Sequence, residues 1–148
     1  MAEVKFLVVL PANPDESDRM SKLAIRGSLL QEPQQFSINF VNSPSCTDNI
    51  TYHFKVKVPS QTIVENYKSN GEWSGSHQEK YLNIFDESTF SLEFQFDYDN
   101  STIIVYQVRG QGHNFVTKFE TLFSLSEIQS IQVWGDVQKI NEFSLSYD

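Results

Sequence analysis

Apolar and polar residues alternate along many short runs of this chain, and no stretch sustains a helical period. Phe90-Ser91-Leu92-Glu93-Phe94-Gln95-Phe96 alternates strictly, which puts Phe90, Leu92, Phe94 and Phe96 on one face of a strand. Asp97 to Ser101 then supplies turn chemistry before a second run, Thr102 to Val108, so the pair predicts a hairpin. Phe36 to Phe40, Tyr52 to Val58, Asn114 to Phe119, Ile128 to Trp134 and Ile140 to Tyr147 read as further strands, the last two on either side of Gly135-Asp136. Ser124 to Glu127 suits one helical turn. Ten or so short strands at regular spacing predict an all-β protein, an antiparallel two-sheet β-sandwich.

The length, 148 residues, predicts one domain over residues 1–148. Twelve Phe, six Tyr and two Trp favour half-buried pleated surface over helix. A net charge of −8 argues against nucleic acid as a partner, because such a field repels phosphate. Cys46 is the only cysteine, so no intrachain disulfide forms. The apolar run Phe6 to Leu10 ends at Pro11 and is too short for a signal sequence or a membrane span. The expectation is a soluble protein made in the cytoplasm, without membrane insertion.

Residues 51–79 carry the candidate chemistry. Strand alternation sends Tyr52, Phe54, Val56 and Val58 inward and leaves His53, Lys55 and Lys57 on the outer face. The following run puts Val64 and Asn66 on that outer face and turns Glu65 inward, where a carboxylate needs a partner. Ser69-Asn70-Gly71 is a turn that returns Trp73 alongside. An indole beside fixed polar groups suits a sugar ring, which has an apolar C–H face and a rim of hydroxyls. Taken singly, Trp73 reads equally well as a cap on the sheet edge, and His53 as a packed surface histidine.

The run His53-Phe54, then Val64-Glu65-Asn66, six residues, and Trp73 resembles the galectin signature. The likeness extends to Phe36–Phe40, Phe115–Phe119 and Ile131–Val137. It implies a jelly-roll sandwich that binds β-galactosides on its concave sheet. His53 would bond the axial galactose hydroxyl, Asn66 would hold another hydroxyl, Trp73 would stack under the ring, and Val64 would line the site. The chain departs from that family at four positions. Lys55 and Lys57 replace an Asn and an Arg, while Ser76 and Gln78 replace a Glu and an Arg. Lysine does not reproduce the planar fork of arginine, so weak or altered specificity is expected.

Other chemistries are less well supported. Glu65, Glu72 and Glu79 lie near the site but form no tight acidic cluster for glycoside hydrolysis, and they read as solvated acids. His53, His77 and His113 have no metal spacing and no evident carboxylate partner, and no cofactor is implied. The leading expectation is a non-enzymatic lectin for galactose-containing glycans, with Lys55, Lys57, Ser76 and Gln78 shaping its specificity. The resemblance allows export without a signal peptide, and sandwich edges offer a homodimer surface. The second reading keeps the fold, loses the sugar and binds protein.

Overall fold

The computed structural model describes residues 4–11, 19–75, 78–81 and 88–147. Among them, twelve strands form two antiparallel sheets. The seven-stranded sheet runs in the order β1 (Val4–Val9), β11 (Ser130–Gly135), β3 (Gln35–Val41), β4 (Ile50–Lys57), β5 (Thr62–Ser69) and β6 (Glu72–Trp73). A further strand, β7 (Gln78–Tyr81), also pairs with β5. The five-stranded sheet is ordered β10 (Gly112–Glu120), β9 (Thr102–Arg109), β8 (Thr89–Asp97), β2 (Met20–Leu29) and β12 (Val137–Tyr147).

The alternating residues of each sheet meet in the core. Phe36, Ile38 and Phe40 of β3 and Tyr52, Phe54 and Val56 of β4 pack with Phe90, Leu92, Phe94 and Phe96 of β8. Rings interlock between the sheets, Phe54 edge-on to Phe94 with centroids 5.5 Å apart and Phe36 stacked on Phe90 at 4.7 Å. Strict alternation thus does what it predicts, since one face of each strand is removed from water.

The hairpin of β8 and β9 forms as expected, and the Asp97 carboxylate accepts from the Asn100 backbone N–H and side-chain amide. Ser124 caps a single 3₁₀ turn, Leu125–Glu127, through a reciprocal capping box. Gly135-Asp136 is where the chain passes from one sheet to the other, so β11 and β12 are neighbours in sequence but not in a sheet. Strand β2 is absent from the sequence reading. Its inward row of Leu23, Ile25 and Leu29 runs through Gly27, where a Cβ would lie 2.6 Å from the Lys139 carbonyl oxygen and 2.8 Å from the Phe90 ring. A glycine forced by close packing hides the alternation.

Candidate functional site

Register across five strands builds two parallel rows of side chains on the outer face of the seven-stranded sheet. One row is Gln132, Asn39, His53 and Asn66, on β11, β3, β4 and β5. The adjacent row is Trp134, Ser37, Lys55, Val64 and Glu79, the last on β7. Paired residues of an antiparallel ladder share a face, so these rows are contiguous surface. His53 and Asn66 of the first row and Trp134, Ser37, Lys55 and Val64 of the second line an open groove of about 710 Å³, together with Lys57, Lys68 and Trp73 among others.

Hydrogen bonds fix the first row. The Asn39 amide nitrogen donates to the Gln132 backbone oxygen at 3.2 Å and to Ser37 Oγ at 3.0 Å. A backbone oxygen only accepts, so Asn39 Oδ1 must be the atom that meets His53 Nδ1. Nδ1 therefore carries the imidazole proton and Nε2 is left as an acceptor. Asn66 Oδ1 accepts from the Tyr67 N–H at 2.9 Å, which leaves the Asn66 amide hydrogens as donors. The site thus presents one bare acceptor and one free donor side by side.

Two indoles flank the histidine. Trp73 lies 4.5 Å from the His53 ring and Trp134 5.8 Å from it, centroid to centroid. Gln132 Oε1 holds the Trp134 indole N–H at 2.8 Å. Trp73 is 41% exposed and is carried by the β5–β6 hairpin, whose two-residue turn has positive φ at both Asn70 (52°) and Gly71 (83°). The turn is tied to a distant loop, because the Gly71 N–H donates to the Asp48 carbonyl oxygen and the Asn70 N–H to Asn49 Oδ1. Lys68 places its ammonium 5.1 Å from the Trp73 ring centroid.

Burial first, and then the charges of Lys55 and Lys68, push the His53 pKa down from 6.5 to about 3. The imidazole is accordingly neutral at physiological pH.

Glu65 does turn inward, and it has the partners that position requires. It is 0% exposed. Tyr52 donates to Oε2 at 2.6 Å, Thr117 donates to Oε1 at 2.9 Å, and the Lys80 ammonium stands 3.5 Å from Oε1 while donating to Thr117 at 2.6 Å. Glu65 is therefore no solvated acid, and the network ties β5 and β7 to β10 of the opposite sheet. Glu72 and Glu79 are exposed, as expected of solvated acids, with Glu79 3.6 Å from Lys57.

His53, Lys55, Lys57, Val64, Asn66 and Trp73 are thus brought together. Ser76 lies outside the described residues, as does His77. Gln78 pairs with Glu65 through β7, and its side chain lies outside them. The structure adds Ser37, Asn39, Gln132 and Trp134, which no local spacing connects to His53. One expectation about histidines is corrected. His113 does pair with a carboxylate, Glu93 at 2.8 Å, because β9 brings β8 and β10 to its two sides on the other sheet. Among the described residues no group of three or more His, Cys, Asp or Glu side chains is placed to hold a metal ion. No helix among them is long and apolar enough to cross a membrane.

Similar proteins share this architecture. Sheep galectin-11 in complex with glycerol superposes with a TM-score of 0.76 at 16% identity, covering 95% of this chain and 96% of that one. The Caenorhabditis elegans galectin LEC-6 superposes with a TM-score of 0.69 at 19% identity, over 95% of each chain. A 32 kDa beta-galactoside-binding lectin of Caenorhabditis elegans is 28% identical over 117 residues, 78% of this chain. The chain spans about two fifths of that relative's length, since the match covers 39% of it. The family model described as galactoside-binding lectin matches residues 6–145, nearly end to end, and the chain belongs to that family.

Proposed function

We propose that this chain acts as a single carbohydrate-recognition domain that binds β-galactoside glycans without chemical conversion. The observation that carries the reading is the exposed Trp73 ring set 4.5 Å from a neutral His53 whose tautomer is fixed. A pyranose ring lays its C–H face on the indole, a hydroxyl donates to His53 Nε2, and the Asn66 amide donates to a neighbouring oxygen. Val64 packs beside the ring, and Lys55, Lys57, Ser76 and Gln78 set the departure from usual galactoside specificity.

Stacking that hides about 100 Å² of apolar surface contributes about 2.5 kcal/mol. Each charged hydrogen bond lost with an arginine costs about 1.5–3 kcal/mol. A single site is therefore weak, in the range of about −4 kcal/mol that millimolar binding represents. Useful avidity follows from two sites on a homodimer or from crowded glycans. Nothing in the proposed action calls for a catalytic group or a cofactor.

Calorimetric titration with lactose, together with a glycan array, tests the proposal. Binding by the native chain and loss of most of it in Trp73→Ala, with unchanged thermal stability, is the expected result. Failure to bind any glycan at millimolar ligand would overturn it in favour of a protein-binding role for the same fold.

A further inference from the structure

Asn70-Gly71 is the one Asn-Gly pair in the sequence, and both residues are exposed at the tip of the β5–β6 hairpin. The pair has a chemistry of its own. The Gly71 backbone nitrogen, after losing its proton to a base from solvent, attacks Asn70 Cγ. An N–Cγ bond forms, the Cγ–Nδ2 bond breaks, and the nitrogen leaves as ammonia. Water then opens the five-membered imide. Opening at Cγ gives aspartate, and opening at the backbone carbonyl gives isoaspartate, in which the main chain runs through the former side chain with one more methylene. Glycine leaves the attacking nitrogen unshielded, because it carries no Cβ. Asn100-Ser101 sits in a comparable exposed turn, but there the following residue bears a side chain.

The fold opposes the reaction in two ways. The Gly71 N–H, whose proton must leave, donates to the Asp48 carbonyl oxygen at 2.8 Å, and the Asn70 N–H donates to Asn49 Oδ1 at 2.9 Å. The imide ring also contains the Asn70 Cα–C bond, so closing it sets ψ far from the left-handed value of about +47°. Asn70 has φ 52° in this turn, and Gly71 has φ 83°. The turn must therefore open before the ring can form, and the bonds to Asp48 and Asn49 are what hold it closed.

The product acts directly on the sugar platform. Hairpin register follows turn type and loop length, and an added methylene disturbs both. Strand β6 is only Glu72 and Trp73, paired with Ser69 and Lys68, so little besides the turn sets where the indole stands. The new carboxylate joins Glu72 and the Asp48 side chain, whose Oδ1 would lie 3.8 Å from a Cβ on Gly71. Like charges so close repel and loosen the tether further. Building on the galactoside reading, we infer that Asn70-Gly71 is a site of spontaneous, irreversible self-modification, restrained by the tether to Asp48 and Asn49, whose conversion to isoaspartate dismantles the Trp73 platform and ends sugar binding.

The test ages the full chain in mildly alkaline buffer at physiological temperature, beside Asn49→Ala, Asn70→Gly and the native sequence unfolded in urea. Peptide mass spectrometry locates amide-to-acid conversion, labelling by an isoaspartyl methyltransferase counts isoaspartate, and lactose calorimetry with the NMR signal of the Trp73 indole N–H follows the platform. Conversion is expected at Asn70 ahead of every other asparagine, several times faster in Asn49→Ala and fastest in the unfolded chain. The converted fraction should bind lactose about tenfold or more weakly, with the Trp73 signal shifted and that of Trp134 unchanged. Asn70→Gly, which keeps a turn-competent residue, should hold its affinity through ageing. Earlier conversion at Asn100 would overturn the inference, as would a native rate equal to that of the unfolded chain, or converted protein with unaltered affinity and an unshifted Trp73 signal. Fresh chain that binds no lactose would remove the galactoside reading and with it the loss of sugar binding inferred here, while conversion sites and rates would still decide the turn chemistry.

Discussion

Asn39 and His53 face each other across β3 and β4, and the asparagine oxygen takes the proton-bearing Nδ1 of the imidazole. Asn39 is fully buried and is itself held by Gln132 and Ser37, so the histidine's orientation is set by buried residues. Replacing Asn39 removes the constraint on the tautomer without removing the ring.

This arrangement determines how the protein responds to acid. His53 is held down to about 3 in the folded chain against 6.5 when unfolded. Above pH 6.5 both states are neutral and the contribution to stability is complete. As the pH falls from 6.5 towards 3, the unfolded chain takes up a proton that the native chain refuses, and stability is progressively lost. NMR titration is expected to find the His53 ring neutral, with its proton on Nδ1, down to about pH 4. His53→Gln should show a shallower decline of unfolding free energy over the same window. An imidazole titrating near 6.5 would contradict the assignment.

The Glu65 cluster makes a prediction of a different kind. Glu65→Ala leaves the buried Tyr52 and Thr117 hydroxyls without their acceptor, and we expect it to destabilise the fold by about 3–5 kcal/mol. Lys80→Ala should cost less, because its side chain is 41% exposed and both hydroxyls keep the carboxylate. Denaturant midpoints separate the two. Burial, with Glu65 adding to it, drives the Tyr52 pKa well above the usual tyrosine range, so its phenolate absorbance should emerge only as the protein unfolds in alkali.

Gly135 sits at φ +100°, where the chain leaves β11 for the other sheet, and a Cβ there would lie 2.6 Å from the Gln35 carbonyl oxygen. Gly135→Ala is expected to destabilise by about 1–3 kcal/mol. Gly75→Ala, with open space around the added atom, should change stability by no more than about 0.5 kcal/mol. Thermal denaturation of the two variants checks the contrast.

Much of this architecture is legible in the chain itself. Unbroken alternation located β4 and β8, turn chemistry at Asp97 to Ser101 located β9, and periodicity placed His53, Lys55, Lys57, Val64 and Asn66 on one face. The Asn70-Gly71 turn then returned Trp73 to them. What escaped was whatever depends on pairing between distant segments. Asn39 meets Gln132 across 93 positions, and Trp134 joins the site only because β11 lies beside β3. Local pattern turned Glu65 inward correctly, but its partner Thr117 comes from the opposite sheet, 52 residues away, so reading it with the solvated acids failed.

The tether between the β5–β6 turn and the loop at Asp48 and Asn49 has a consequence for how binding preference can diverge in this lineage. The Trp73 turn is anchored by Asp48 and Asn49, which lie outside the described lining of the groove. Lengthening, shortening or stiffening that remote segment would retune the platform while every contacting side chain stayed the same. Comparison of contact residues alone would then miss the change.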